Sequence, residues 1–335
     1  MGVVTLVFFL FFVLLPADPA RLTMGQRSDA KTIENVRKEL YLDKPLPTQF
    51  GLYINDLSPI GIHNKADQEK YEYAPLLSVS SEKTIAVKKP YLRRSYQSKI
   101  KVWDLLMDAF PGTLILAFLS IIIATVVGIF LGIVAAVKHN TWLDTTAIFT
   151  SVLGISAPSF FSGILIAYVF GFVLSDYTGL GIVSPLWDYD PILGKQLRLK
   201  SLILPVITLS IRPMAIITQI TRTAMLDVLN QDYIRTAYAK GLRKKAVIWK
   251  HALRNALNPV VTSVSGWFAE LLAGSFFIEY IFGWKGIGKV TVDALNKFDF
   301  PVVMGSVIFT ATFFIVINIL VDFLYAIIDP RIKNY

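Results

Sequence analysis

The stretch "DYIRTAYAKGLRKKAVIWKHALRNALNPVV", residues 232–261, sets a basic, helix-prone segment between two apolar runs. Ile234, Ala237, Tyr238 and then Val247, Ile248, Leu253 and Leu257 recur at roughly helical spacing, with Gly241 between them, which predicts two short helices and a turn. So charged a surface does not lie in lipid; it is held against water or against a partner. One reading is an amphipathic loop resting on anionic headgroups through its lysines. The sharper reading is a docking element for a cytoplasmic partner, and periodicity does not separate the two.

The rest of the chain supplies the context. Its 335 residues are 54% hydrophobic and 17% charged, with a mean hydropathy of +0.55, which places it in the all-α polytopic membrane class. The net charge of +9 is explained by basic residues flanking apolar spans, a topological pattern, so nucleic acid is not an expected partner and the lipid bilayer is. Without cysteine there is no disulfide, thiolate nucleophile or Cys-based zinc site. The scattered His63, His139 and His251 form no His-rich metal cluster, so no metal site is expected.

Apolar runs long enough to cross about 30 Å of hydrocarbon fall near 109–137, 143–175, 202–224, 261–282 and 301–328. A sixth, "VVTLVFFLFFVLLPA" at 3–17, is short; it lacks a basic n-region and a good cleavage site, so residues 1–17 read as a first transmembrane helix whose cytoplasmic start is missing. Residues 18–107, with fifteen Lys/Arg and eleven Asp/Glu and punctuated by prolines, read as an extracytoplasmic loop of short helices and extended pieces, with a soluble subdomain around 55–95. Residues 108–335 then form a core of five spans. The 222–254 segment carries eight basic residues against Asp227 and Asp232, which makes that end cytoplasmic, together with Lys138 and the tail cations Arg331 and Lys333. The loops at 176–200 and 283–300 face outward.

The residues "DYIRTAYAKGL…HALRNALNPVV" resemble the cytoplasmic coupling loop of binding-protein-dependent ABC importer permeases of the oligopeptide/dipeptide (nickel) branch. The general motif is Glu-Ala-Ala, three residues, Gly, nine residues, Ile-x-Leu-Pro. Set on Gly241, it falls on Arg235, Thr236 and Ala237, then on His251, Ala252, Leu253 and Arg254; only Ala237, Gly241 and Leu253 keep the general letters, and the departures are those of the peptide branch. "LLPADPA" (14–20), "LDKPLPTQF" (42–50), "FPGTLILA" (110–117), "SAPSFFSGIL" (156–165), "FIEYIFGWKGIGK" (277–289), "FDFPVVMG" (298–305) and "VDFLYAIIDPRI" (321–332) resemble the corresponding segments of such permeases. Residues near 57–90 do not, and look like an insertion.

The resemblance implies a type I importer permease of about six transmembrane helices that moves short peptides inward by alternating access. A nickel or oligosaccharide permease is the alternative within the branch. It implies a coupling loop at 227–258 in which Tyr233, Arg235, Thr236, Ala237, Ala239, Lys240, Gly241, His251, Leu253, Arg254 and Asn255 meet an ATPase, small Ala237 and Ala239 allowing close approach. The chain is then not an enzyme and binds no cofactor, with ATP and Mg acting in partner subunits. The implied partners are a homologous second permease, two cytoplasmic ATPase subunits and an extracytoplasmic substrate-binding protein.

Other motifs weigh less. "GWKGIGKV" (283–290) has the Gly-x4-Gly-Lys of a phosphate-binding loop, but Val290 stands where Ser or Thr would hold Mg, and a Gly-rich turn is the better reading. "GISAP" (154–158) is no nucleophile elbow; Pro158 reads as a kink beside a pathway. Arg212 and Glu270 lie inside spans, where ionisable groups are functional hypotheses, and are expected to pair or to face a central cavity. Phe160 and Trp267 are further pathway candidates, with Phe161, Phe268, Phe276 and Phe277; Glu279 and Asp322 read as structural. A proton-coupled secondary transporter, the rival class, would need a chain of intramembrane acids and broken helices, neither clear in the sequence.

Overall fold

The computed structural model describes residues 1–14, 30–183, 187–190 and 194–328. The tail with Arg331 and Lys333, the segments 15–20 and 329–332, and the side chain of Asp322 lie outside the described residues. The chain divides into two compact units, residues 1–109 with 290–312 and residues 110–289 with 313–335.

In the first unit, an apolar helix Gly2–Phe9 continues as one π-helical turn to Leu14. Val7 and Phe8 pack on Tyr53, Met304 and Ile308. Helices Ala30–Glu39 and Leu46–Leu57 precede a three-stranded antiparallel sheet of β1 (Ile60–Asn64), β2 (Ala74–Ser78) and β3 (Lys83–Val87), ordered β1-β3-β2. The sheet thus accounts for the extended pieces expected in the polar stretch. Beneath it Asp56 is buried and accepts hydrogen bonds from the hydroxyls of Tyr41 (3.1 Å) and Tyr71 (3.0 Å), while Lys88 donates to the Asp56 carbonyl. Asp299 accepts from Ser95 Oγ (2.5 Å) and the Tyr96 amide (3.1 Å), fixing the turn ahead of helix Val102–Val137.

In the second unit the core gathers Leu116, Ile121, Leu209, Ile217, Val260, Leu271, Ile278 and Trp284. Among the described residues three helical stretches, 102–137, 199–229 and 300–321, are long and apolar enough to cross a membrane, or four with a bent pair; Gly2–Leu14 is shorter. Helix Ile203–Leu229 is held against the first of these by reciprocal bonds, Ser210 Oγ to the Ser120 carbonyl (3.0 Å) and Ser120 Oγ to the Val206 carbonyl (3.3 Å). Gly128 and Gly132, four apart, let the two backbones approach: a Cβ at either would run into Ile217 or Thr221.

Two expected spans are broken. The run 143–175 is two helices, Trp142–Ser156 and Ser159–Val173, meeting at 104°. Ala157, restricted by the following proline, is extended, and Pro158 starts the second helix, so the expected kink is a full break. The run 261–282 stops at Gly274 and restarts as Phe276–Ile281. At its other end it begins early: Lys244–Ala246 passes through a π-helical stretch, Val247–Ala252, into helix Leu253–Gly274. The second predicted short helix is therefore the start of a long one, since nothing between Lys244 and Pro259 stops it.

Candidate functional site

The opening segment folds as helix Asp232–Ala239, a turn at Lys240–Arg243, and the start of the long helix. The turn is a Schellman motif: Gly241 N donates to the Tyr238 carbonyl (2.9 Å) and Leu242 N to the Ala237 carbonyl (3.3 Å). Gly241 has φ +78°, the left-handed conformation that favours glycine, and a Cβ there would meet no atom within 4 Å. Ile234, Ala237, Val247, Ile248, Ala252 and Ala256 form a buried spine on Ile133, Ala136 and Met225. Tyr233, Arg235, Thr236, Ala239, Lys240, Gly241, Arg254 and Asn255 are exposed, and His251 and Leu253 half-buried. Ala237 does not stand on an outer surface with Ala239: it is buried against the chain's own helices, because it falls on the apolar stripe with Ile234. Asn255 Nδ2 donates to Tyr233 Oη (3.0 Å), joining the two limbs. Exposed Tyr238, Leu242 and Trp249 add apolar area to a basic outer face.

A second cluster sits where helix Ile203–Leu229 approaches this segment. Arg222 grips Asp144 with two bonds, Nε to Oδ1 (2.5 Å) and Nη2 to Oδ2 (2.9 Å). Asp144 Oδ2 also meets His139 Nδ1 (2.9 Å) and accepts from the Asn140 amide (3.1 Å). The Asp144 side chain is buried, and the turn after helix Val102–Val137 and the helix leading to segment 232–255 share this one carboxylate. Sequence reasoning missed Asp144, because an acid in the first turn of a helix is ordinary; its signal was the cation Arg222 at the end of another apolar run.

The pathway candidates separate. Arg212, Trp267 and Glu270 line one cavity of about 120 Å³, with Gly154, Ala157, Ser159 and Ser162 from the two sides of the Pro158 break. The Arg212 guanidinium lies 5.5 Å from the Trp267 ring centroid, and among the described residues no ion pair joins Arg212 to Glu270. Phe160 is exposed and tilted against Phe277 (6.1 Å between centroids), and is not among the cavity's lining residues. The Gly-rich stretch 283–290 is a turn only as far as Gly286, and from Ile287 it is the start of helix Ile287–Asn296. The first-turn amides of Gly288 (2.7 Å) and Lys289 (3.3 Å) donate to Glu279 Oε2, a fully buried carboxylate that caps this helix and also accepts from Ser275 Oγ (2.6 Å). The amides a phosphate would take are thus filled from within the chain. Among the described residues no cluster of three or more His, Asp or Glu stands ready to hold a metal.

Apolar helices, a broken span beside a cavity with charged walls, and a basic helical hairpin at one end define a polytopic membrane permease. The chain belongs to the family of binding-protein-dependent transport system inner membrane components: that family's signature matches residues 128–334, and the N-terminal signature of the same systems matches residues 1–117. It is 34% identical to the dipeptide transport system permease protein DppB of Alkalihalophilus pseudofirmus, over 98% of this chain and 94% of that one. It is 37% identical to the glutathione transport system permease protein GsiC of Pectobacterium atrosepticum, over 99% and 94%. In fold it is similar to a chain of the inward-facing MetNI methionine ABC transporter, with a TM-score of 0.53 at 16% identity, covering 67% of this chain and 96% of that one. Broken helices also occur in secondary transporters; family membership decides against that rival.

Proposed function

We propose that this chain carries short peptides inward across a bacterial cytoplasmic membrane as one of two permease subunits, driven by separate ATPases. The observation that carries the reading is the segment 232–255. Its apolar side is spent on the chain's own helices, and its outer side is an exposed basic and aromatic face that packs on none of the other described elements. Such a face suits docking to a soluble subunit, the buried spine passing a push on Asp232–Ala239 to the membrane helices, and its rim charges can pair across an interface. On this reading the coupling segment and the C-terminus are cytoplasmic, residues 18–107 lie outside, and ATP and Mg act in the two ATPase partners. A homologous permease completes the pathway, and an extracytoplasmic binding protein delivers the substrate. Peptides are favoured because relatives sharing nearly the full length are named for dipeptide and glutathione transport.

The test is uptake of labelled di- to hexapeptides by host cells with the gene intact, deleted, or carrying Gly241→Trp. Loss of uptake in both altered strains, with the variant still reaching the membrane, is the expected result. Unchanged uptake in both rejects peptides and moves nickel and oligosaccharides to the front.

A further inference from the structure

The cavity at the Pro158 break has charges of both signs that the described residues leave without an ionic partner. Arg212 and Glu270 both line it, and among the described residues neither joins an ion pair or a side-chain hydrogen bond. Arg212 stands in the interior of helix Ile203–Leu229 and Glu270 near the end of helix Leu253–Gly274, both exposed, and an ionisable side chain on an apolar helix is costly unless it faces a polar space. The cavity has a second positive feature. Helix Ser159–Tyr168 begins there, its N-cap is Pro158 with no side-chain cap, and its first-turn residues Ser159 and Ser162 line the space. The positive end of that helix and the Arg212 guanidinium therefore both favour an anion. Trp267, under the guanidinium, restrains it and supplies an apolar wall.

We infer that this cavity is a transit site for the charged ends of a short peptide: Arg212 and the start of helix Ser159–Tyr168 receive the terminal carboxylate, and Glu270 receives the terminal ammonium. Its volume of about 120 Å³ admits end groups and a small side chain, the remainder of the peptide lying in the cavity's opening. The inference rests on the peptide-import reading and deepens it: selection for free termini is then built into the membrane subunit, apart from any made by a binding protein.

The test uses the complete permease–ATPase complex in nanodiscs without binding protein, with trialanine, trialanine amide and N-acetyl-trialanine as probes, binding being followed by saturation-transfer NMR. Wild type is expected to bind trialanine about tenfold more tightly than either blocked form, the order of loss when a charged group loses its partner. Arg212→Gln should shrink the preference for trialanine over its amide, leaving only the share due to the helix start, while keeping the N-acetyl difference, and Glu270→Gln should abolish the N-acetyl difference while keeping the amide one. Equal binding of all three probes by wild type, no binding, or a uniform loss in both variants overturns the proposal. Uptake of trialanine by the wild-type complex in proteoliposomes with its binding protein separates the two levels. Uptake without end-group discrimination at the cavity rejects only this inference, whereas no uptake rejects the peptide reading itself.

Discussion

Glu279 shows how much one side chain holds. A fully buried carboxylate that serves Ser275 Oγ and two backbone amides must be removed at the cost of three unmade bonds. Glu279→Gln keeps one acceptor and is expected to cost about 1–2 kcal/mol, while Glu279→Ala strands two amides and should cost about 3 kcal/mol or more. Thermal melting of the purified complex reads this directly, and two variants melting like wild type would mean the carboxylate is not the cap. His63, in strand β1, carries a pH dependence. Burial first, then the charge of Lys88 and to a lesser degree Lys70, hold its pKa down to about 4, Asp67 opposing. The unfolded chain takes up a proton near pH 6.5 and the folded chain only near 4, so stability is intact above 6.5 and is lost as pH falls through that window. With the open pocket beside it screening part of the effect, the loss is about 1–2 kcal/mol. Amide exchange of residues 60–87 should accelerate between pH 7 and 4.5, and His63→Gln should flatten the dependence.

At the scale of elements, helix Asp232–Ala239 has an inner and an outer side, and two alanines two residues apart report them. Ala237→Leu pushes a larger side chain into the spine formed with Val247 and Ala252 and should cost about 1–3 kcal/mol by overpacking. Ala239→Leu, on the exposed side, should leave melting unchanged and weaken co-purification of the ATPase subunits. Equal melting of the two variants would refute the assigned orientation. The helix and its turn were legible in the sequence because the apolar stripe and Gly241 are local signals. What was not legible depends on contacts across the chain. Ala237 reads like any small residue until Val247 is seen above it, and Asp144 reads as an ordinary first-turn acid until Arg222 arrives from a helix nearly eighty residues on. The break at Pro158 was read as a kink because a proline in an apolar run is compatible with both, and only packing selects 104°. The cavity itself was anticipated in Arg212 and Glu270, since charges inside spans need a polar space, but direct pairing of the two is not formed.

For the whole molecule the open matter is on which side of the membrane each loop lies, and the bent pair decides it by parity. Between Lys65, in the sheet-bearing stretch, and Lys240, in the turn at Lys240–Arg243, the chain contains helix Val102–Val137, the bent pair, and helix Ile203–Leu229. If the pair crosses, there are three passages and the two lysines lie on opposite sides. If it re-enters, there are two, and a segment with eight basic residues shares a side with the sheet-bearing stretch, which the proposed function puts outside, against the bias of short basic loops to stay inside. The pair is therefore expected to cross, its bend taken up by the polar cavity and not by lipid. The chain contains no cysteine, so single replacements at Lys65, Lys138, Tyr177 and Lys240 each introduce the sole thiol, and all four positions are exposed. In intact spheroplasts a membrane-impermeant maleimide should label Lys65→Cys and Tyr177→Cys, and should reach Lys138→Cys and Lys240→Cys only after permeabilisation, a contrast of about tenfold given the barrier that lipid sets to a charged reagent. Labelling of Lys138→Cys and Tyr177→Cys from the same side would make the pair re-entrant, remove one passage, and take the proposed docking face away from any cytoplasmic ATPase.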